Sequence, residues 1–182
     1  MLMEPIDFSR HKPVRLTVMQ GQARISGDPR LELTTVLGSC IACCLFDSSN
    51  AIGGMNHFLL ASPNQDRALD ENYGVYLMEV LVNEILDYGA DRRLLRAHLY
   101  GGAAMSEGMS WIGKANAAFA KSFLAAERIP LVSESVGGTS ARRVDFRPYW
   151  GKARCRIVDK AMAPREAPAS QSRKDYGDIE LF

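Results

Sequence analysis

Apolar positions along this chain follow two periods. Val14-Arg15-Leu16-Thr17-Val18 alternates, as a half-buried strand does. Gly27-Asp28-Pro29 is a turn signal. From Leu31 to Phe46 the residues are apolar and β-branched, broken only by Gly38-Ser39, which predicts strand, tight turn, strand. Asp47-Ser48-Ser49-Asn50 is polar and turn-forming, and the apolar run resumes from Ala51 to Leu60. This predicts a β-hairpin in which Cys40–Phe46 pairs with Ile52–Leu60. Residues 62–72 are polar and predict a loop. The period then becomes helical. Val75, Met78, Val82, Ile85 and Leu86 recur at three- and four-residue spacing over residues 73–88, with Gly89 as the cap. A second helix is expected from about Gly113 to Glu127, with Ala117, Phe119, Phe123 and Leu124 on its apolar side. Short strands are expected at residues 97–100 and 129–136, and as a pair at 142–146 and 153–158. The expected class is α/β (α+β): a β-rich single domain with two main helices.

Composition narrows the class further. The chain has 182 residues, a length for one domain. Its 47% hydrophobic and 24% charged content is that of an ordinary globular protein, able to bury a core without disulfide or metal. Lys plus Arg is 22 against 21 for Asp plus Glu, a balance that argues against a nucleic-acid binder held by bulk charge. No apolar run reaches the ~18 residues of a membrane span. The first residues lack a basic region followed by an apolar stretch, so a cytoplasmic protein without membrane insertion is expected. The Pro-, Ala- and Ser-rich residues 161–182 have little to bury and predict a disordered tail. The domain is expected over residues 30–160, behind an N-terminal extension over 1–29.

Four cysteines suit a reducing compartment as free thiols. Cys40 stands directly after Gly38-Ser39, where a turn lets backbone approach a substrate closely and presents both sulfur and N–H to a carbonyl. If the hairpin turn centres on Ser48–Ser49, His57 falls directly across from Cys40, with Cβ atoms ~5 Å apart. That spacing suits a thiol and its base. Thr34 and Thr35 precede the turn and point to opposite faces, so at most one faces the histidine and orients its ring. Cys40-Ile41-Ala42-Cys43 has redox spacing, but the residues after it read as strand, not helix. The scattered histidines and Cys155 make no recognisable metal pattern, and no metal or cofactor is expected. Gly53-Gly54, Gly101-Gly102 and Gly137-Gly138 match no phosphate-binding motif and predict close backbone approaches or substrate contacts. Residues 142–156 carry Arg142, Arg143, Arg147, Lys152, Arg154 and Arg156 against one acid, Asp145. This run is either a solvated face or a surface that steers an acidic partner.

Five motifs then occur in order: Thr-Thr-Val-Leu-Gly-Ser-Cys at 34–40, Ile-Gly-Gly-Met-Asn-His at 52–57, Tyr-Gly-Gly-Ala-Ala-Met at 100–105, Ile-Gly-Lys-Ala-Asn at 112–116, and Val-Gly-Gly-Thr-Ser-Ala-Arg-Arg-Val at 136–144. Over about residues 30–158 the chain resembles the chemoreceptor glutamine deamidase family, CheD. The resemblance implies an α/β sandwich that hydrolyses selected glutamine side chains to glutamate on methyl-accepting chemotaxis receptors and releases ammonia. It implies Cys40 as nucleophile, His57 as base and Thr34 as third member, with no cofactor. Gly38 and Ser39 would shape the turn that holds the oxyanion. Gly101, Gly102, Gly137, Gly138, Arg142 and Arg143 are expected at the substrate or partner. Some members also bind the phosphatase CheC. A non-catalytic adaptor that binds receptors or CheC is the alternative, and neither reading involves nucleic acid.

Overall fold

A computed structural model describes residues 12–60, 67–105 and 110–163. Among the described residues, nine strands form two sheets. Their ranges are β1 Val14–Thr17, β2 Gln22–Ser26, β3 Leu31–Leu37, β4 Ile41–Asp47, β5 Ile52–His57, β6 Arg96–Gly101, β7 Leu131–Val136, β8 Ala141–Arg147 and β9 Lys152–Val158. The four-stranded sheet runs β1-β3-β8-β9 and the five-stranded sheet β2-β5-β4-β6-β7. The pairs β1–β3 and β6–β7 are parallel; the rest are antiparallel. Helices α1 (Arg67–Asp87) and α2 (Ser110–Ala126) lie on the outer face of the five-stranded sheet. The expected α+β sandwich with two main helices is the observed architecture.

Every residue of β4 is buried, because both faces of this central strand are covered. Ile41, Cys43 and Leu45 pack with Leu77, Met78, Leu81, Ile85 and Leu124 of the helices. Cys40, Ala42, Cys44 and Phe46 pack between the sheets with Leu33, Leu37, Met55, Val144 and Phe146. This explains why the β4 sequence is continuously apolar rather than alternating. It also places Cys40 and Cys43 on opposite faces, so the C-x-x-C spacing forms no disulfide.

Three expectations shift. The strands β1 and β2 carry residues 14–26 into both sheets, so most of the described part of the 1–29 segment belongs to the sandwich rather than preceding it. α1 begins at Arg67, inside the stretch predicted as loop. The hairpin register also differs. Asp47 pairs with Ile52 and Ile41 bridges Phe58, so Cys40 continues opposite Leu59 and His57 lies diagonally from it on the same face. The shift is two residues, and a two-residue shift preserves facing. Residues 164–182, most of the predicted tail, lie outside the described residues. Among the described residues, no helix is long and apolar enough to cross a membrane.

Candidate active site

The Thr35 hydroxyl and the Val18 carbonyl meet the ring of His57, a residue only 2% exposed. The ring comes from the end of β5 and points between the sheets toward β3 and the β1–β2 connection. Its Nδ1 lies 3.0 Å from Thr35 Oγ1 and 3.2 Å from the Val18 carbonyl oxygen. The Thr35 hydroxyl donates to the same Val18 carbonyl at 3.0 Å. A carbonyl can only accept, so Nδ1 carries the ring proton and Nε2 the lone pair. That is the tautomer a general base requires. Nε2 is buried and has no hydrogen-bond partner, an arrangement that native structures rarely leave without a purpose. Burial lowers the His57 pKa below its ordinary 6.5, and the Val18 carbonyl offsets only part of that. The imidazole is therefore neutral and basic near pH 7.

Thr34 is not part of this cluster. It points to the outer face of the four-stranded sheet, where its hydroxyl donates to Asp145 Oδ1 at 2.8 Å. The structure thus brings Thr35, not Thr34, to the histidine. The alternation of β3 is the physical reason: Leu33, Thr35 and Leu37 face the inter-sheet core, and Glu32 and Thr34 face away.

Cys40 sits on a turn whose backbone is held from three sides. The Ala103 N–H donates to Gly38 O at 2.9 Å and the Gly102 N–H to Cys40 O at 2.8 Å. The fully buried Asn116 of α2 donates from Nδ2 to Ser39 O at 3.0 Å, while its Oδ1 accepts the Leu60 N–H at 2.8 Å. Gly38 also makes room for Met105, whose side chain would lie 2.9 Å from a Cβ at that position. The Cys40 thiol is 7% exposed and donates to Gln20 Oε1 at 3.5 Å. The other buried cysteines are poor nucleophiles. Burial pushes Cys43 up to about 12 and Cys44 well above its ordinary value.

The remaining expected contacts have structural partners. Gly101 and Gly102 press directly on Cys40. Gly137 N–H donates to Gly101 O, and Gly138 O accepts from Ala104 N–H. Arg142 is only 6% exposed and braces that loop through Gly137 O, Ser140 O and the Ser135 hydroxyl. Arg143 lies on the outer face beside Asp145, at 3.2 Å, on the side of the sheet away from Cys40. Asp145 is 3% exposed and collects Thr34, Arg143, Arg154 and Arg156. Burial raises its carboxyl, but the Thr34, Arg143 and Arg154 hydrogen bonds and the Arg143 charge more than offset it, bringing the pKa to about 2. The arginine run is therefore organised around an internal anion, a pattern that charge counting did not reveal.

These shifts fix an acid profile for stability. A histidine whose folded pKa lies below 6.5 takes up its proton first in the unfolded chain, so stability falls as pH drops below about 6.5. His98, stacked on Phe46 and also depressed by burial, acts in the same direction. Asp145, with its folded pKa about 2 against an ordinary 3.8, adds a second loss as pH falls from 3.8 toward 2. Melting curves from pH 8 to pH 3 should show two successive drops in Tm. His57→Asn should reduce the first and Asp145→Asn the second; a flat Tm between pH 7.5 and 5 would contradict the account.

Comparison with known proteins decides the family. Residues 59–157 match the family model described as CheD chemotactic sensory transduction. The chain belongs to the CheD family. A relative from Zymomonas mobilis subsp. mobilis, named as a probable chemoreceptor glutamine deamidase CheD, is 54% identical over 171 residues, covering 92% of each chain. One from Caulobacter sp. with the same name is 47% identical over 175 residues, 93% of each chain. One from Agrobacterium fabrum, again so named, is 40% identical over 174 residues, 92% of this chain and 96% of its own. CheD similarity thus covers almost the whole sequence, including the β1–β2 region that supplies Val18 and Gln20.

Sequence reasoning missed Val18, Gln20 and Asn116, and assigned the third place to Thr34. Only Asn116 carried a signal, as the last residue of Ile-Gly-Lys-Ala-Asn. Val18 acts through its carbonyl, which any residue possesses, so no side-chain pattern marks it.

Proposed function

We propose that this chain deamidates glutamine side chains on methyl-accepting chemotaxis receptors in the cytoplasm, with Cys40 as nucleophile, His57 as base and Thr35 as the residue that orients the base. The observation that carries the reading is a buried histidine with Nδ1 tethered to Thr35 and Val18 and a bare Nε2. Cys40 lies on the same inter-sheet face, on a turn held at each carbonyl. The relatives' names supply the substrate class.

The chemistry follows from those roles. His57 Nε2 takes the Cys40 thiol proton, and the thiolate attacks the carboxamide carbon of the substrate glutamine. Contacts between nucleophile and base are commonly long in unliganded sites and tighten when substrate closes over them. Negative charge moves to the carbonyl oxygen, where the Cys40 backbone N–H supplies one donor. His57 returns its proton to the departing nitrogen, the C–N bond breaks, and ammonia leaves a thioester. Water, deprotonated by His57, attacks the thioester; the C–S bond breaks and glutamate is released with the thiol restored. The Thr35 hydroxyl and the Val18 carbonyl are neutral acceptors, so no buried carboxylate stabilises the imidazolium. Modest turnover is the expected consequence, fitting a modifier that adds one carboxylate to a receptor per event.

The test is intact-mass analysis of a receptor cytoplasmic fragment incubated with this protein. Each event adds about one dalton, because the thioester route exchanges NH₂ for OH. In ¹⁸O-water the gain rises by about two more daltons, since the new oxygen comes from solvent. The expected result is a mass gain with the wild-type chain and none with Cys40→Ala. Binding to the fragment without any mass gain would overturn the reading and favour a non-catalytic adaptor.

A further inference from the structure

The connection between β1 and β2 crosses from one sheet to the other directly beside the reactive thiol. It is pinned at both ends. Val18 N–H donates to Thr34 O at 2.9 Å, and Val18 O receives Thr35 and His57. Gly21 N–H donates to His57 O at 2.7 Å, and Gly21 adopts φ of +83°, which suits glycine. Between these anchors stands Gln20, exposed to solvent, with its carboxamide oxygen 3.5 Å from Cys40 Sγ. A backbone tied on one side to the base and on the other to the strand carrying it holds this carboxamide at the nucleophile.

We infer that Gln20 is a catalytic residue: its carboxamide NH₂ is the side-chain donor to the oxyanion formed when Cys40 attacks. The inference rests on the deamidase reading and extends it. A backbone N–H gives the tetrahedral intermediate one donor, and such sites gain most from a second, preplaced one. A carboxamide is suited to both states of the thiol. Toward S–H it presents Oε1 as acceptor, as observed. Toward a thiolate and the oxyanion that follows, a half-turn about its last torsion presents Nε2–H instead, at the same distance and without moving the backbone. Gln20 is exposed when the site is empty, so a docked receptor helix would exclude water around it. Its hydrogen bond then strengthens as local dielectric falls, at the moment charge develops. Because the same geometry brings an amide beside a nucleophile that attacks amides, the assignment requires that Gln20 itself survive turnover.

The experiment compares the full chain with Gln20→Ala, Gln20→Glu, Gln20→Asn and Cys40→Ala on the receptor fragment. Gln20→Ala is expected to lower kcat by about 10²–10³, with KM changed little. Gln20→Glu, which cannot donate and places a negative charge beside sulfur, is expected to lose more and to move the iodoacetamide reaction of Cys40 to higher pH. Gln20→Asn, one methylene shorter, should recover only part of the loss. Melting temperatures should stay close to wild type, since Gln20 is exposed. Wild-type kcat in Gln20→Ala would overturn this inference while leaving the deamidase reading intact. Absence of turnover in the wild type with a reactive Cys40 would instead overturn the reading on which it rests. A one-dalton gain on the peptide carrying Gln20 in the wild-type chain, absent in Cys40→Ala, would also overturn it, making Gln20 a substrate in cis.

Discussion

Gly101→Ala is expected to leave a destabilised protein with its deamidase activity reduced at least 100-fold. Gly101 ends β6 with φ of +111°, where a side chain is strained. A Cβ there would lie 2.0 Å from the Cys40 carbonyl oxygen and 3.1 Å from its carbonyl carbon. Both obstacles are backbone, so no rotamer relieves them. The strain alone is worth about 1–3 kcal/mol, and displacing the Cys40 turn adds to it, for an expected loss of about 3 kcal/mol or more. The activity loss follows from position: moving a nucleophile by about 1 Å costs on the order of 100-fold. Gly137→Ala is the control. Its φ of +77° is also positive, yet nothing lies within 4 Å of the added Cβ, so only the local strain of about 1 kcal/mol should appear. Thermal unfolding and kcat on the receptor fragment measure both. Equal behaviour of the two variants would remove the claim that Gly101 exists to admit the nucleophile's backbone.

Thr35→Val should lower kcat by about 100-fold while leaving the fold intact, and Thr34→Val should do the reverse. Valine keeps the shape of threonine and removes the hydroxyl. At position 35 this takes away the nearer acceptor of the His57 Nδ1–H, leaving the Val18 carbonyl at 3.2 Å. The surviving acceptor still favours the useful tautomer, so the loss is smaller than the ~10⁴ seen when a triad loses its tautomer altogether. At position 34 the change strips Asp145 of a buried donor, which costs about 1–3 kcal/mol of stability. Turnover should then remain near wild type. Steady-state kinetics and denaturant melts on both variants separate the outcomes. A kcat loss confined to Thr34→Val would return the orienting role to the residue that the family resemblance implies.

The sandwich was legible in outline because hydrophobic period reports element type directly. The continuous run of β4 and the helical spacing at Met78, Val82 and Ile85 each found their element. Register was less legible, because it depends on loop length. The side chain of Asp47 caps Ser49 N and Asn50 N and binds the Asn50 side chain, and Ala51 turns with φ of +55°. The result is a longer turn than the polar residues alone indicated. Cys40 and His57 were still placed on one face, since a shift by two residues preserves it. The choice between Thr34 and Thr35 needed to know which face of β3 meets the second sheet, and alternation cannot say that. The pairing of β1 with β3 is parallel and leaves no hairpin signal between them, so β1 looked like an extension. The glycine pairs predict close approaches, but that Gly101-Gly102 approaches the Cys40 turn, whereas Gly53-Gly54 approaches Pro148 and Arg24 and an added Cβ at Gly137 meets nothing within 4 Å, emerges only in three dimensions.

The division of the site along the chain bears on its own synthesis. Val18, Gln20, Thr35, Cys40 and His57 are translated first, whereas Gly101, Gly102 and Asn116, which fix the Cys40 turn, come later. At about 5–20 residues per second, roughly 3–12 s separate emergence of His57 from that of Asn116. During that interval the nascent polypeptide carries a thiol and an imidazole with no scaffold to align them. Amide-cleaving power therefore arrives only once α2 has been made and its Asn116 can hold the Cys40 turn.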